Sequence, residues 1–287
     1  MQTDQLLERL CRSDEERPPS TLIVAAHPGD ETLGAGARIA CLCASCRVVF
    51  VTDGAPCDRR FFPRGNAHLS RAAYARKRLE EAVRALGLAG VEASRITSLH
   101  FRDQDAAFHM ATIAERLAAI VVTVRPAVVL THAYEGGHPD HDATAFAVHA
   151  ALALVLALPR ASSTLVEMTG YHDRCGMTVR GEFLPRPNVR EITLPLSEFE
   201  RQHKRSMLAA YVTQREVLAP FKIETERFRR APRYDFGVPP LESRLHYERF
   251  GLGIGGPMWR ALARAATRKL TVGRDRSRPG EPASSST

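Results

Sequence analysis

Two short clusters in this chain carry the residue types that bind metal ions and move protons: His27-Pro28-Gly29-Asp30-Glu31 and His138-Pro139-Asp140-His141-Asp142. The first leaves an apolar run, 22–26, of the composition of a buried strand. An imidazole nitrogen and a carboxylate oxygen leaving one strand end together can converge on a point. That donor pair suits a borderline cation such as Zn²⁺. Taken alone, the pentapeptide reads equally well as a turn with an N-cap acid. The second cluster follows Gly136-Gly137 and opens a helix, and two histidines three apart sit on adjacent faces of one turn. Together the clusters make a two-histidine, one-carboxylate metal site with an imidazole to spare. Both follow predicted strands, and α/β sheets bind their ligands at the carboxyl ends of strands, so both clusters belong at the same mouth.

The elements that must hold the clusters follow from periodicity. Strands are predicted at 21–26, 47–52, 96–101 and 127–131, and helices at 33–44, 69–87, 110–124 and from the second cluster to about 158. This β-loop-α alternation specifies an α/β protein, a mostly parallel sheet with helices on both faces. After Ser162 the rhythm changes. Strands are expected at 164–170 and 191–194, and a helix at 197–212, where Ser197 and Glu200 have the spacing of a capping box. Residues 227–249, rich in Pro, Arg and Tyr, read as a loop. The expected organisation is an N-terminal helix and linker over 1–19 and a single α/β domain with a C-terminal elaboration over 20–260. A basic, partly disordered tail, losing order from about Thr271, follows over 261–287.

Composition narrows the function classes. The chain has 287 residues, a formal charge of +8, 44% hydrophobic and 25% charged residues, ordinary values for a globular protein. Residues 1–20 lack the apolar segment of a signal peptide, and no apolar run reaches the roughly 18 residues of a membrane span. The stretch 143–158 reads as a buried helix. The expected compartment is the cytoplasm. Six cysteines without a secretion signal do not make a disulfide framework, and Cys41, Cys43 and Cys46 read as packing at the end of a buried helix rather than as metal ligands. Basic residues gather late (Arg260, Arg264, Arg268, Lys269, Arg274, Arg276, Arg278), but no recognition motif accompanies them. They read as solvated charge, and no nucleic-acid partner is expected. A nucleotide site would need a glycine fingerprint directly after the first strand; Gly34-Ala35-Gly36 lies beyond the acidic turn.

The paired His-Pro motifs resemble those of the PIG-L/LmbE family of zinc-dependent N-acetylglucosaminyl de-N-acetylases. The similarity runs from about Thr21 to Gln214. It includes the turn Thr52-Asp53-Gly54-Ala55, the helix holding Arg78 and Glu80 and ending at Gly87, and the segment from Lys204 to Tyr211 and Gln214. The resemblance implies a Rossmann-like fold and removal of an acetyl group from an N-acetylglucosamine-type amine, a small-molecule amino-sugar conjugate. It makes His27, Asp30 and His141 the ligands of one Zn²⁺ per chain, with Fe²⁺ as the alternative occupant. His138 becomes the histidine that stabilises the tetrahedral oxyanion or protonates the leaving amine. Possible self-association into a homo-oligomer is left open.

One position departs from the family pattern. The family usually has an aspartate, its general base, where this chain has Gly29. Losing a general base costs about 10²–10⁴-fold in rate. Either His138 or a carboxylate such as Asp140 covers the role, or Asp53, Asp103 or Asp105 reaches in from a neighbouring strand end, or the protein is a metal-containing ligand-binding or weakly active homologue. Among single residues, Arg59, Arg60 and Arg64 read as surface and His132 as a satisfied core histidine. Tyr134 divides evenly between packing and oxyanion donation. His100, His149 and His203 receive no role.

Overall fold

The computed structural model describes residues 2–12, 15–156 and 162–276. The strands are β1 (Thr21–Ala25), β2 (Cys46–Pro56), β3 (Ile96–Asp103), β4 (Val128–His132), β5 (Thr164–Met168), β6 (Tyr171–Arg174), β7 (Met177–Arg180), β8 (Glu191–Pro195) and β9 (Thr225–Arg230). The helices are α1 (Gln2–Cys11), α2 (Asp30–Leu42), α3 (Arg71–Leu88), α4 (Met110–Val124), α5 (Pro139–Val155), α6 (Glu198–Ala209), α7 (Arg215–Leu218) and α8 (Gly256–Arg276).

Seven strands form one sheet in the order β3-β2-β1-β4-β5-β9-β8. β1 to β5 pair in parallel, while β9 and β8 run antiparallel at one edge. β1 is buried at all five positions, as a central strand covered on both faces must be. Its side chains divide by alternation. Leu22 and Val24 enter a core with α4, α5 and α8, and Ile23 and Ala25 enter a second core with α1, α2, α3 and α6. The mostly parallel α/β architecture read from the sequence is therefore the architecture of the chain. The strand order reverses between β1 and β4, which leaves a crevice outside their carboxyl ends. The two His-Pro clusters leave those two strands.

Several expectations need correction. Helix α2, expected over 33–44, begins at Asp30, so the acidic turn is its first turn, and it kinks at Ala35 (φ −146°, ψ 20°). Two buried side chains repair the kink. Lys204 Nζ donates to Leu33 O (2.7 Å), and the Glu226 carboxylate accepts the Ala37 and Arg38 amides (2.8 and 3.1 Å). Glu226 belongs to β9, a strand that begins just before the expected loop over 227–249 and takes up the start of it. The charges that disguised it are internally paired, Arg229 with Glu167 and Glu135, and Glu226 with Lys204. The β6–β7 hairpin also had no signal strong enough to read. β2 runs on to Pro56 through register shifts, so Asp53-Gly54-Ala55 lies within the strand.

The Ser197–Glu200 capping box forms as expected. Cys46 begins β2 rather than ending a helix, Cys41 is exposed, and all six cysteines are free. The helix α8 runs past Thr271 to Arg276. Trp259, Ala263, Ala266 and Leu270 recur every three or four residues and are buried against α4 and α5. Burying Trp259 and Leu270 alone contributes roughly 2–3 kcal/mol each. Arg264, Arg268 and Lys269 are exposed on the helix's other faces, while Arg278 and the rest of the expected tail lie outside the described residues. α5 ends at Val155, and the expected extension to Leu158 also lies outside them. No described helix is long and apolar enough to cross a membrane.

Candidate active site

The turn after β1 is shaped by Gly29, whose φ of +114° places it where L-residues are strained. This lets the His27 amide donate to Asp30 Oδ2 (2.8 Å) and brings the same oxygen 3.1 Å from His27 Nδ1. Glu31, fully buried, pins the turn by accepting the Gly29 amide (2.9 Å), the Thr32 hydroxyl (2.7 Å) and the Tyr211 hydroxyl. Arg78 on α3 donates to Pro28 O and Gly54 O, tying the turns after β1 and within β2 together. At the other motif, Gly137 has no room for a side chain. A Cβ would lie 1.9 Å from Tyr171 O. His138 caps α5, its Nδ1 accepting the Asp140 amide at 3.2 Å.

These turns bring His27, Asp30, His138 and His141 together. Asp30 Oδ2 is 3.3 Å from His141 Nε2, and the His138 ring lies 4.7 Å from His27 and 5.3 Å from His141. Among the described residues, three groups of side chains have ligand atoms all within 4.8 Å of one another: His27–His138–His141, Asp30–His132–His141 and His27–Asp103–Asp140. The trio His27, Asp30 and His141 is spread over the first two groups and is linked through Asp30 Oδ2. Two imidazole nitrogens and a carboxylate oxygen facing a cleft are a donor set that fits a divalent cation with an open coordination position.

Electrostatics follow from burial and crowding. Burial and the neighbouring His27 and His141 rings push His138 well below the usual imidazole range. Burial and His141 do the same to His132. Burial alone would raise Asp30, but His141 and His27 outweigh it and hold the carboxyl well below its usual value. A neutral His138 whose Nδ1 accepts a backbone amide carries its proton on Nε2.

Asp140 reaches the cluster from the far side of His27. It is fully buried, and its oxygens accept from Gln104 N (2.6 Å) and Ala106 N (3.1 Å) and lie 3.1 Å from His27 Nε2. Asp103, at the end of β3, lines the cleft; its Oδ1 is 3.3 Å from His27 Nε2 but makes no aligned hydrogen bond. Asp53 pairs instead with Arg71, and Asp105 does not line the cleft. His132 joins the cluster, stacked on His141 at 4.1 Å, with Nε2 accepting the Ala26 amide at 2.9 Å. Tyr134 donates to Val238 O and packs on Trp259, away from the cleft.

The cleft above this floor has a volume of about 460 Å³, with Phe61, Tyr171, Phe221 and Phe250 on its walls. Three of those aromatics come from the part of the chain after Ser162, and nothing in their sequence context marks them.

Residues 22–152 match the family described as PIG-L: GlcNAc-PI de-N-acetylase, which bears out the resemblance carried by the two motifs. No curated protein sequence matches the chain. Among solved structures, the chain is similar to the A40926 pseudoaglycone deacetylase (21% identity, TM-score 0.55, covering 76% of this chain and 98% of that one). It is similar to the zinc-inhibited form of teicoplanin deacetylase (17%, 0.56, 75% and 98%). It is also similar to N,N'-diacetylchitobiose deacetylase from Pyrococcus horikoshii (19%, 0.56, 80% and 92%). At these identities the likeness is one of fold.

Proposed function

We propose that this chain, a PIG-L-family sequence over residues 22–152, is a metal-dependent hydrolase that removes an N-acetyl group from an N-acetylglucosamine-type amino-sugar conjugate. The observation that carries the reading is Asp30 Oδ2 standing 3.1 Å from His27 Nδ1 and 3.3 Å from His141 Nε2, beside His138, on the floor of an open cleft. His27, Asp30 and His141 would hold the ion, Zn²⁺ by donor type with Fe²⁺ as the alternative. Once bound, such an ion polarises the amide carbonyl and acidifies a water molecule.

The remaining work belongs to side chains. Asp140 accepts from His27 Nε2–H and so keeps Nδ1 unprotonated for the ion; it acts through His27 and positions it. That role replaces the proton-carrying one expected of Asp140. His138 presents Nε2–H to the amide oxygen as negative charge develops there and keeps that proton, since a neutral imidazole that gave it up would be left as an anion; the leaving amine takes the proton that the attacking water loses. Gly29 cannot accept the proton of the attacking water. Asp103, which lines the cleft and whose buried Oδ1 makes no hydrogen bond, takes that proton in our reading.

A second reading is favoured by Gly29 itself: a chain that keeps the metal and the ligand but turns over slowly or not at all. One experiment separates the two. Amine release from a panel of N-acetylglucosamine conjugates is followed with Zn²⁺-loaded protein, with His141→Ala as the blank. Release that depends on metal and vanishes in the variant supports the hydrolase. Stoichiometric metal with no release from any conjugate supports the binding protein.

A further inference from the structure

Away from the cleft, α5, α8 and the segment 231–237 surround a second cavity of about 710 Å³. It is larger than the 460 Å³ cleft and falls within the roughly 300–1,000 Å³ of small-molecule sites. The proposed reaction makes no use of it. Its wall is aromatic: Phe146 lies 5.2 Å from Phe236, and Tyr234 lies 5.4 Å from Phe236. His149 stands among them, 5.3 Å from Tyr234 and 5.4 Å from Phe236. Its Nε2 is buried without a hydrogen-bond partner, and the apolar surroundings push the imidazole down to about 4. A buried polar atom without a partner is an exception that asks for one, and here a cavity lies beside it. At the rim, α8 sets Arg264 and Arg268 one turn apart and exposed, against the single acid Asp235, one of whose oxygens already accepts the Gly237 amide.

We infer that this cavity is a binding site for a small anionic amphiphile, a carboxylate with an apolar body. The body packs on Phe146, Tyr234 and Phe236. The head accepts a hydrogen bond from His149 and meets the two arginines, whose guanidinium groups suit a carboxylate.

Trp259, the one tryptophan in the chain, has its ring 6.5 Å from Phe236 and serves as the reporter. The full-length protein is titrated with decanoate below micelle-forming concentrations, following tryptophan fluorescence and binding heat. Decanol and decyltrimethylammonium provide the neutral and cationic arms. Saturable binding of decanoate at one site is expected, about tenfold or more tighter than either control. Ala153→Phe, at an exposed wall position on α5, removes it. His149→Leu and the double variant Arg264→Gln/Arg268→Gln each weaken it by about tenfold. Circular dichroism verifies that the variants fold. Equal affinity for all three amphiphiles would reduce the site to an apolar patch and overturn the inference. So would decanoate binding that survives Ala153→Phe, or binding to phosphatidylglycerol vesicles with none to free decanoate.

Discussion

Gly29 is the residue on which the proposed chemistry turns. Its φ of +114° means that an aspartate introduced there is strained, although its Cβ would make only ordinary contacts with Tyr211 and Leu218. Gly29→Asp should lose about 1–3 kcal/mol of stability in urea denaturation and gain no turnover. A variant that is both stable and faster would return the proton-accepting role to this position. Asp140 makes a separate prediction. Asparagine in its place preserves the shape but can present an amide N–H to His27 and weakens the support of the ring. Zn²⁺ affinity should then fall about 10–100-fold in competition with a chromophoric chelator. Unchanged affinity would show that Asp140 does not orient His27.

At the scale of elements, α2 carries Asp30 at one end and a kink at Ala35, and its stability depends on a strand far away in sequence. Glu226 on β9 caps the restarted helix and neutralises Lys204, which is 1% exposed. Glu226→Ala strands a buried ammonium and frees two helix amides, so unfolding should become easier by about 3–5 kcal/mol. Adding Lys204→Met should recover part of that loss, because the stranded charge goes with it. A single variant within 0.5 kcal/mol of the parent, to take about the scatter of surface substitutions as the limit, would remove the pair from the account.

At the scale of the molecule, the core between α5 and α8 couples stability to pH. The apolar wall around His149 holds its imidazole at about 4 against an ordinary value of 6.5, so between those values the unfolded chain binds more protons than the folded one. Stability therefore rises with pH across that window and is lost as pH falls through it, by up to about 3 kcal/mol. His149→Leu should flatten that part of the profile of melting temperature against pH. An unchanged slope would mean that other groups carry it.

Much of the molecule was legible from one sequence, for local reasons. Apolar runs of strand length alternating with helical periodicity specify a parallel sheet, and Ser197 and Glu200 cap their helix as their spacing requires. The two His-Pro clusters announce a metal-type site because histidines and acids at strand ends are chemically conspicuous. Other features depend on partners that sequence distance conceals. β9 reads as loop because Glu226 and Arg229 look solvated until Lys204, Glu167 and Glu135 pair with them inside the fold. Asp103 was one of several carboxylates within reach of the site, and only the ends of β1, β3 and β4 meeting at one crevice set it apart from Asp53 and Asp105. Residue types and short-range spacing thus determined the sheet and which candidate ligands stand at its mouth. The tertiary structure decided which acids face the cleft and which support it, because burial and pairing are properties of the packed chain rather than of any segment.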